Sequence, residues 1–203
     1  MTKSTDKQES NTKRRILDAA LEALRTEGFA GATSRAIARI GGFNQALIFY
    51  HFGSLDAVLL AALEASSQAR LERYRNALDQ AGSISELIQL AADIYREDRQ
   101  SGHTAVVAQM VAGSLARPEL APQLLQRMET WITFCEDAIA KTLGRSPAAE
   151  ILPARDLAFA LVTFYLGVNL VTHLNGDSSQ TDTLFERAVT LAPLLEQLLR
   201  EQT

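Results

Sequence analysis

Residues 33–52 read Thr33-Ser-Arg-Ala-Ile-Ala-Arg-Ile-Gly-Gly-Phe-Asn-Gln-Ala-Leu-Ile-Phe-Tyr-His-Phe52, and this stretch decides the fold. Thr33 is placed to N-cap a short helix from Ser34 to about Gly41, and Asn44 to N-cap a second from Gln45 to His51. Gly41-Gly42 breaks the chain between them, and Gly42 can turn without a Cβ clash. Ile37, Ile40, Phe43, Ile48 and Phe52 can then share a small core with Ile16, Ala20 and Leu24 of a preceding helix, about Thr12 to Glu27. Two short helices around a tight turn have helix-turn-helix geometry. The second helix of such a unit enters the major groove, where base edges are legible. Any small helical bundle with a Gly-Gly turn carries the same pattern, so the motif taken alone leaves both readings open.

On the DNA reading, Gln45, Ala46, Leu47 and Tyr50 are the groove-facing candidates. Gln can bond an adenine edge, and apolar groups can touch a thymine methyl. Thr33, Ser34, Tyr50 and His51 suit phosphate oxygens at the margins, and Arg35 can reach a base or a phosphate. The charge pattern permits this despite a formal net charge of −4 for the 203 residues. Residues 1–53 carry eight basic and five acidic residues, a net of +3, and the remainder carries −7. From Gly28 to Phe52 there is no acid, only Arg35 and Arg39. An acid-free patch can face phosphate while the rest of the chain repels it.

Outward from this stretch the chain reads as helix throughout, about nine in all, and the fold class is all-α. Met1–Asn11 is polar and is expected to be a flexible tail. A fourth helix, capped by Ser54, runs to about Gln80, and Ser83 with Glu86 forms a capping box for a fifth. A sixth spans about Gly102 to Ala116, and a seventh ends at Gly144. Pro153 can start an eighth, and Thr183 with Glu186 makes a capping box for a ninth, to about Glu201. The composition shift near Gly53 marks a boundary between three short helices, 12–53, and six longer ones, 54–203; the family resemblance given below implies a DNA-binding domain for the first and a helical effector-binding and dimerisation domain for the second.

Leu157–Thr172 holds sixteen residues without a formal charge. A surface helix needs a polar face, so this one is expected to be buried all round, in a core or between two subunits. Sixteen residues fall short of the ~18 of a membrane span. The ninth helix carries the stripe Leu184, Ala188, Leu191, Leu195 and Leu198 with a second stripe beside it, which suggests two packing partners. With Phe164 and Val168 of the eighth helix, these residues form the expected two-fold interface of a homodimer. Tyr95, His103, Met110, Trp131, Phe134, Cys135 and Phe164 are candidates for an apolar small-molecule pocket, although a Met or aromatic on a helical stripe is more often simply core.

No G-x-S-x-G, HExxH, P-loop or GxGxxG motif is present, and adjacent acids such as Glu97-Asp98 diverge by ~100° on a helix. An enzyme is not expected. One cysteine and three scattered histidines build no metal site, and no cofactor is implied. No apolar run of signal type follows the polar start, so a cytoplasmic location without membrane association is expected.

Thr12–Leu59 resembles the N-terminal DNA-binding domain of the TetR/AcrR family of prokaryotic transcriptional regulators. The matching stretches are Arg15-Ile-Leu-Asp-Ala-Ala, Gly28-Phe, Thr33 with Ile37-Ala38, Gly41-Gly42-Phe43-Asn44 and Tyr50-His51-Phe52-Gly53-Ser54. The resemblance implies a homodimer whose first three helices bind DNA, whose later helices hold a small-molecule pocket, and whose last two pack against their twins. It also marks departures. Phe49 stands where the family usually has Tyr, Leu55 where it has Lys, and Asn44 where it has Ser. The reading is a regulator, chiefly a repressor released from a palindromic operator by a small-molecule effector. An activator, or a helical protein-interaction module with weak DNA binding, is the alternative.

Overall fold

A computed structural model describes residues 2–143 and 152–200, with side chains for 8–142 and 152–197. Among the described residues there are nine α-helices and no strand. They are α1 (Thr2–Gly31), α2 (Ser34–Gly41), α3 (Ala46–Phe52), α4 (Leu55–Gln80), α5 (Ile84–Ser101), α6 (His103–Ala116), α7 (Ala121–Leu143), α8 (Ala154–Asn175) and α9 (Ser179–Arg200). A 3-10 turn, Pro118–Leu120, joins α6 to α7. The all-α class read from the sequence holds.

Helix α1 begins ten residues before the expected start, so the segment expected to be a flexible tail is helical from Thr2. Its polarity misled. Nothing between Thr2 and Asn11 is a Gly or Pro, and Glu9 pairs with Lys13 one turn on at 2.9 Å. At the other end Gly28 leaves the helical region with φ 71° and ψ 178°. The break orphans the Phe29 N–H, and the Gln109 side chain of α6 accepts it at 3.0 Å.

Two compact units divide the chain. The first contains Met1–Ala69 and Ala105–Leu124, and the second Arg70–Thr104 and Leu125–Thr203. The first unit thus holds the expected 12–53 and adds the start of α4 and all but the first two residues of α6. The cause is the core of the first unit, in which Ile16, Leu24, Ile37 and Ile48 of α1–α3 pack with Val58, Leu59 and Leu63 of α4 and with Val106 and Met110 of α6. Phe29 lies over Gly113, where a Cβ would come within 2.4 Å of its ring. Arg117 sits 5.2 Å from the same ring and pairs with Asp56.

The second unit has a polar centre. The Asp98 carboxylate, 1% exposed, accepts from the Arg70 guanidinium and from the Tyr165 hydroxyl. Burial raises its pKa, and the Arg70 charge opposes that shift. Arg70 also lies 5.0 Å from the Trp131 ring, and Tyr74 donates to Glu97 at 2.5 Å. His103 is buried too, and burial, reinforced by the Arg70 charge, pushes its pKa down to about 3. The fold therefore holds the neutral imidazole, while the unfolded chain binds a proton near pH 6.5. Stability from this group is complete above pH 6.5 and drains away as pH falls towards 3, by on the order of 5 kcal/mol at most. Urea midpoints measured from pH 7.5 to 4 should fall steadily, and His103→Gln should flatten that slope.

Helix α9 starts at Ser179 rather than at Thr183. Asp177 caps it, accepting the Ser179 N–H at 2.9 Å, and the Thr183 hydroxyl donates to the Ser179 carbonyl inside the helix. Nothing from Ser178 to Asp182 breaks a helix, so the earlier cap wins. The Ser83–Glu86 box does form: Ser83 Oγ accepts the Glu86 N–H at 3.1 Å, and Glu86 reaches back to the Gly82 N–H.

Helix α8 is not buried within the chain. Ala158, Val162 and Asn169 are buried, whereas Phe159, Phe164, Val171 and Leu174 are exposed. It extends beyond the sixteen uncharged residues to 22, with a most apolar window averaging 1.7 in hydropathy. By length and composition alone it is therefore long enough to cross a membrane, contrary to the expectation that no stretch would be.

Candidate nucleic-acid interface and candidate effector cavity

Local chemistry builds the interface. Thr33 Oγ1 accepts the Ala36 N–H at 3.2 Å and starts α2. Gly42, at φ 65°, ends it and returns its N–H to the Ala38 carbonyl. Gly41 is needed for a different reason, since a Cβ there would lie 2.1 Å from the Phe43 ring. Arg15 donates to the Gly41 carbonyl at 3.0 Å and ties the turn to α1. Asn44 Oδ1 accepts the Ala46 N–H at 2.9 Å, so the expected cap acts one residue before Gln45, which takes the N-cap position in αR conformation.

The fully buried Ile48 anchors α3, and Leu47 and Phe52 pack half-buried beside it. This fixes what faces outward. Asn44, Gln45, Ala46, Phe49 and Tyr50 are exposed, Tyr50 at 79%. Thr33 and Arg35 are exposed on α2 and its cap, and Ser34 is half-buried. His51 is half-buried and meets Tyr50 edge-on, with ring centroids 4.8 Å apart. Leu47 is the candidate that the fold turns partly inward. Of the two arginines in the acid-free stretch, Arg39 pairs with Glu27, and Arg35 makes no ion pair among the described residues. Leu55, where the resemblance led one to look for a cation, is half-buried against the core of the first unit.

In the second unit, α4, α5, α7 and α8 line an apolar cavity of about 410 Å³. Helix α5 supplies Ile84, Leu87, Ile88, Leu90, Ala91 and Ile94. Helix α7 supplies Phe134, Cys135, Ala138, Ile139 and Thr142, and Leu78, Leu152, Leu157 and Leu161 complete the wall. Of the seven candidate pocket residues, the structure brings Phe134 and Cys135 together here. Tyr95 stacks on Phe185 at 4.4 Å, and Trp131 lies under Arg70. His103 is buried, Met110 belongs to the core of the first unit, and Phe164 is 47% exposed. The α5 wall was the part missed. Its apolar residues Ile84, Leu87, Ile88, Ala91 and Ile94 recur at helical spacing, a signal present in the sequence.

The expected interface residues lie on two helices. Phe164 on α8 and Leu184, Leu191 and Leu195 on α9 are exposed, Val168 and Ala188 are half-buried, and the side chain of Leu198 lies outside the described residues.

Residues 16–62 match the family model for "Bacterial regulatory proteins, tetR family". The HTH-type transcriptional regulator UidR of Escherichia coli (strain K12) is 24% identical over 123 residues, 61% of this chain and 62% of UidR. The regulator RutR of the same strain is 27% identical over 118 residues, 57% of this chain and 56% of RutR. The chain thus spans less than two thirds of either relative. The crystal structure of the transcriptional regulator FadR from Bacillus subtilis, in complex with stearoyl-CoA, superposes with a TM-score of 0.72, covering 88% of this chain and 96% of that one. At 13% identity that likeness is one of fold. The matched residues are the helix-turn-helix unit of α1–α3 with the start of α4, and that region is similar to the DNA-binding part of HTH-type transcriptional regulators. Over residues 16–62 the chain is similar to the TetR family of these regulators.

Proposed function

We propose that the chain is a cytoplasmic, homodimeric repressor that leaves a palindromic operator when a small molecule occupies the cavity of the second unit. The observation that carries this reading is the outer face of α3. Gln45, Ala46, Phe49 and Tyr50 stand in solvent beside Thr33 and Arg35, within a stretch that holds no acid. A helix that exposes two aromatics and a glutamine along one side has a surface for a groove, not for water.

Pairing follows from α8 and α9, whose exposed Phe159, Phe164, Leu191 and Leu195 find no cover within one chain. A second copy supplies that cover and sets two α3 helices on one DNA face. The bound FadR neighbour supports a small molecule as effector. An effector coupling of ~1–3 kcal/mol shifts operator affinity about 5–150-fold, enough to switch a promoter. Helix α4 contributes residues to both units and is the proposed lever.

Selection of bound fragments from a genomic library, followed by footprinting, tests the reading. Two protected half-sites of inverted sequence, centred about 34–36 Å apart or a multiple of that distance, are expected. Binding should weaken linearly in log salt as phosphate contacts are lost. Uniform protection of every fragment would overturn it.

A further inference from the structure

The α5–α7–α8 cavity is unusual in what it lacks. Among the described residues, none of its fifteen lining side chains carries a formal charge. The two with polar atoms offer little to an ion. Thr142 Oγ1 donates to the Ala138 carbonyl at 2.9 Å, so its hydrogen is spent inside α7. Burial pushes the Cys135 thiol up to about 11, so it stays protonated at neutral pH. A volume of about 410 Å³ falls in the ~300–1,000 Å³ range of sites that enclose a drug-sized molecule.

We propose that this cavity selects an uncharged, largely hydrocarbon ligand and rejects carboxylates. The inference rests on the cavity being the effector site and adds the chemistry it accepts. An ionised group buried there would lose its hydration and gain no partner. Escape to the rim does not help an anion. Leu78 and Phe134 also border a polar cleft whose charged residues are Arg75, Asp79, Glu129 and Asp137. Glu129 is paired with Arg155, and the remaining charges give an anion no positive surplus.

The test uses the full chain and three probes of equal length: decanol, decanoate and decyltrimethylammonium. Trp131 is the only tryptophan and lies 5.7 Å from the Phe134 ring, so its fluorescence reports occupancy, with calorimetry as a check. Saturable decanol binding is expected, with decanoate at least ~10-fold weaker. Ala91→Phe, which fills the cavity, should cost decanol at least ~10-fold. Leu152→Lys, at a half-exposed position on the wall, should raise decanoate affinity several-fold relative to decanol. That variant carries the test should Ala91→Phe fail to fold. Decanoate or decyltrimethylammonium binding as tightly as decanol, or no saturable decanol binding, overturns the proposal. Decanol that binds without releasing the operator upholds the charge selection and counts against the effector role alone.

Discussion

Cutting Gln45 and Tyr50 back to alanine together should abolish sequence-specific operator binding and leave the fold and the dimer intact. Both side chains are exposed, and neither belongs to the core that holds α3 down through Ile48, Leu47 and Phe52. Truncation opens no cavity, so the melting temperature should stay close to that of the parent chain. The loss falls on the groove side. A well-made base contact discriminates by ~1–3 kcal/mol, and two such losses cost each half-site about 2–6 kcal/mol, roughly 30- to 20,000-fold in half-site affinity. Non-specific binding should survive, because the exposed Thr33 and Arg35, the proposed backbone contacts, are untouched and phosphate contacts carry no sequence information. Anisotropy titrations against the selected operator and a scrambled duplex, at one salt concentration, separate the two terms. An unchanged footprint in the double variant would remove α3 from the interface.

The helix-turn-helix was legible because its determinants are local. Thr33, Gly42 and Asn44 each act within a few residues, through a cap or a positive φ, and a single sequence contains everything they need. Leu47 shows where local reading fails. Once Ile48 and Phe52 point inward, a neighbour ~100° away sits on the boundary, and only the packed core decides on which side it falls. The unit boundary was not legible for the same reason. The sequence shows that α4 and α6 have apolar faces but not that Val58, Leu59 and Met110 join the core of α1–α3.

The cavity marks a deeper limit. The residues Ile84, Leu87, Ile88, Ala91 and Ile94 recur at helical spacing on α5, and Trp131, Phe134 and Cys135 stand out on α7 by size or softness. Whether facing stripes meet or stand apart depends on interhelical distance, which no pattern within one helix encodes. Candidates chosen by size were therefore scattered. Tyr95 went to a stack with Phe185, Met110 to another core, and Trp131 to Arg70. Charge was the better signal. Almost everything on α5 that faces the cavity is aliphatic, and that absence of polarity now sets the chemistry the site accepts.

The remaining large effect concerns assembly. Leu191→Glu with Leu195→Glu should convert the proposed dimer to monomers and, through that alone, remove operator binding at working concentrations. The two leucines are 51% and 47% exposed in the single chain, one turn apart on α9, so two carboxylates there cost the isolated subunit little. Across a two-fold axis each substitution occurs twice, which puts four carboxylates into an apolar contact without partners. Light scattering and sedimentation should report the mass of one chain, with helical circular dichroism retained. Thr183→Glu, exposed on the same helix but off the Leu184–Leu195 stripe, should keep the dimer. DNA binding then follows from linkage rather than from any change at α3. A monomer engages one half-site and forgoes the second, effectively intramolecular contact, an advantage of roughly 100- to 10,000-fold. A half-site duplex should accordingly bind the variant and the parent subunit alike, which separates lost pairing from a damaged reading surface. A variant that keeps the mass of two chains would move the interface off α9 and leave its exposed leucines to another partner.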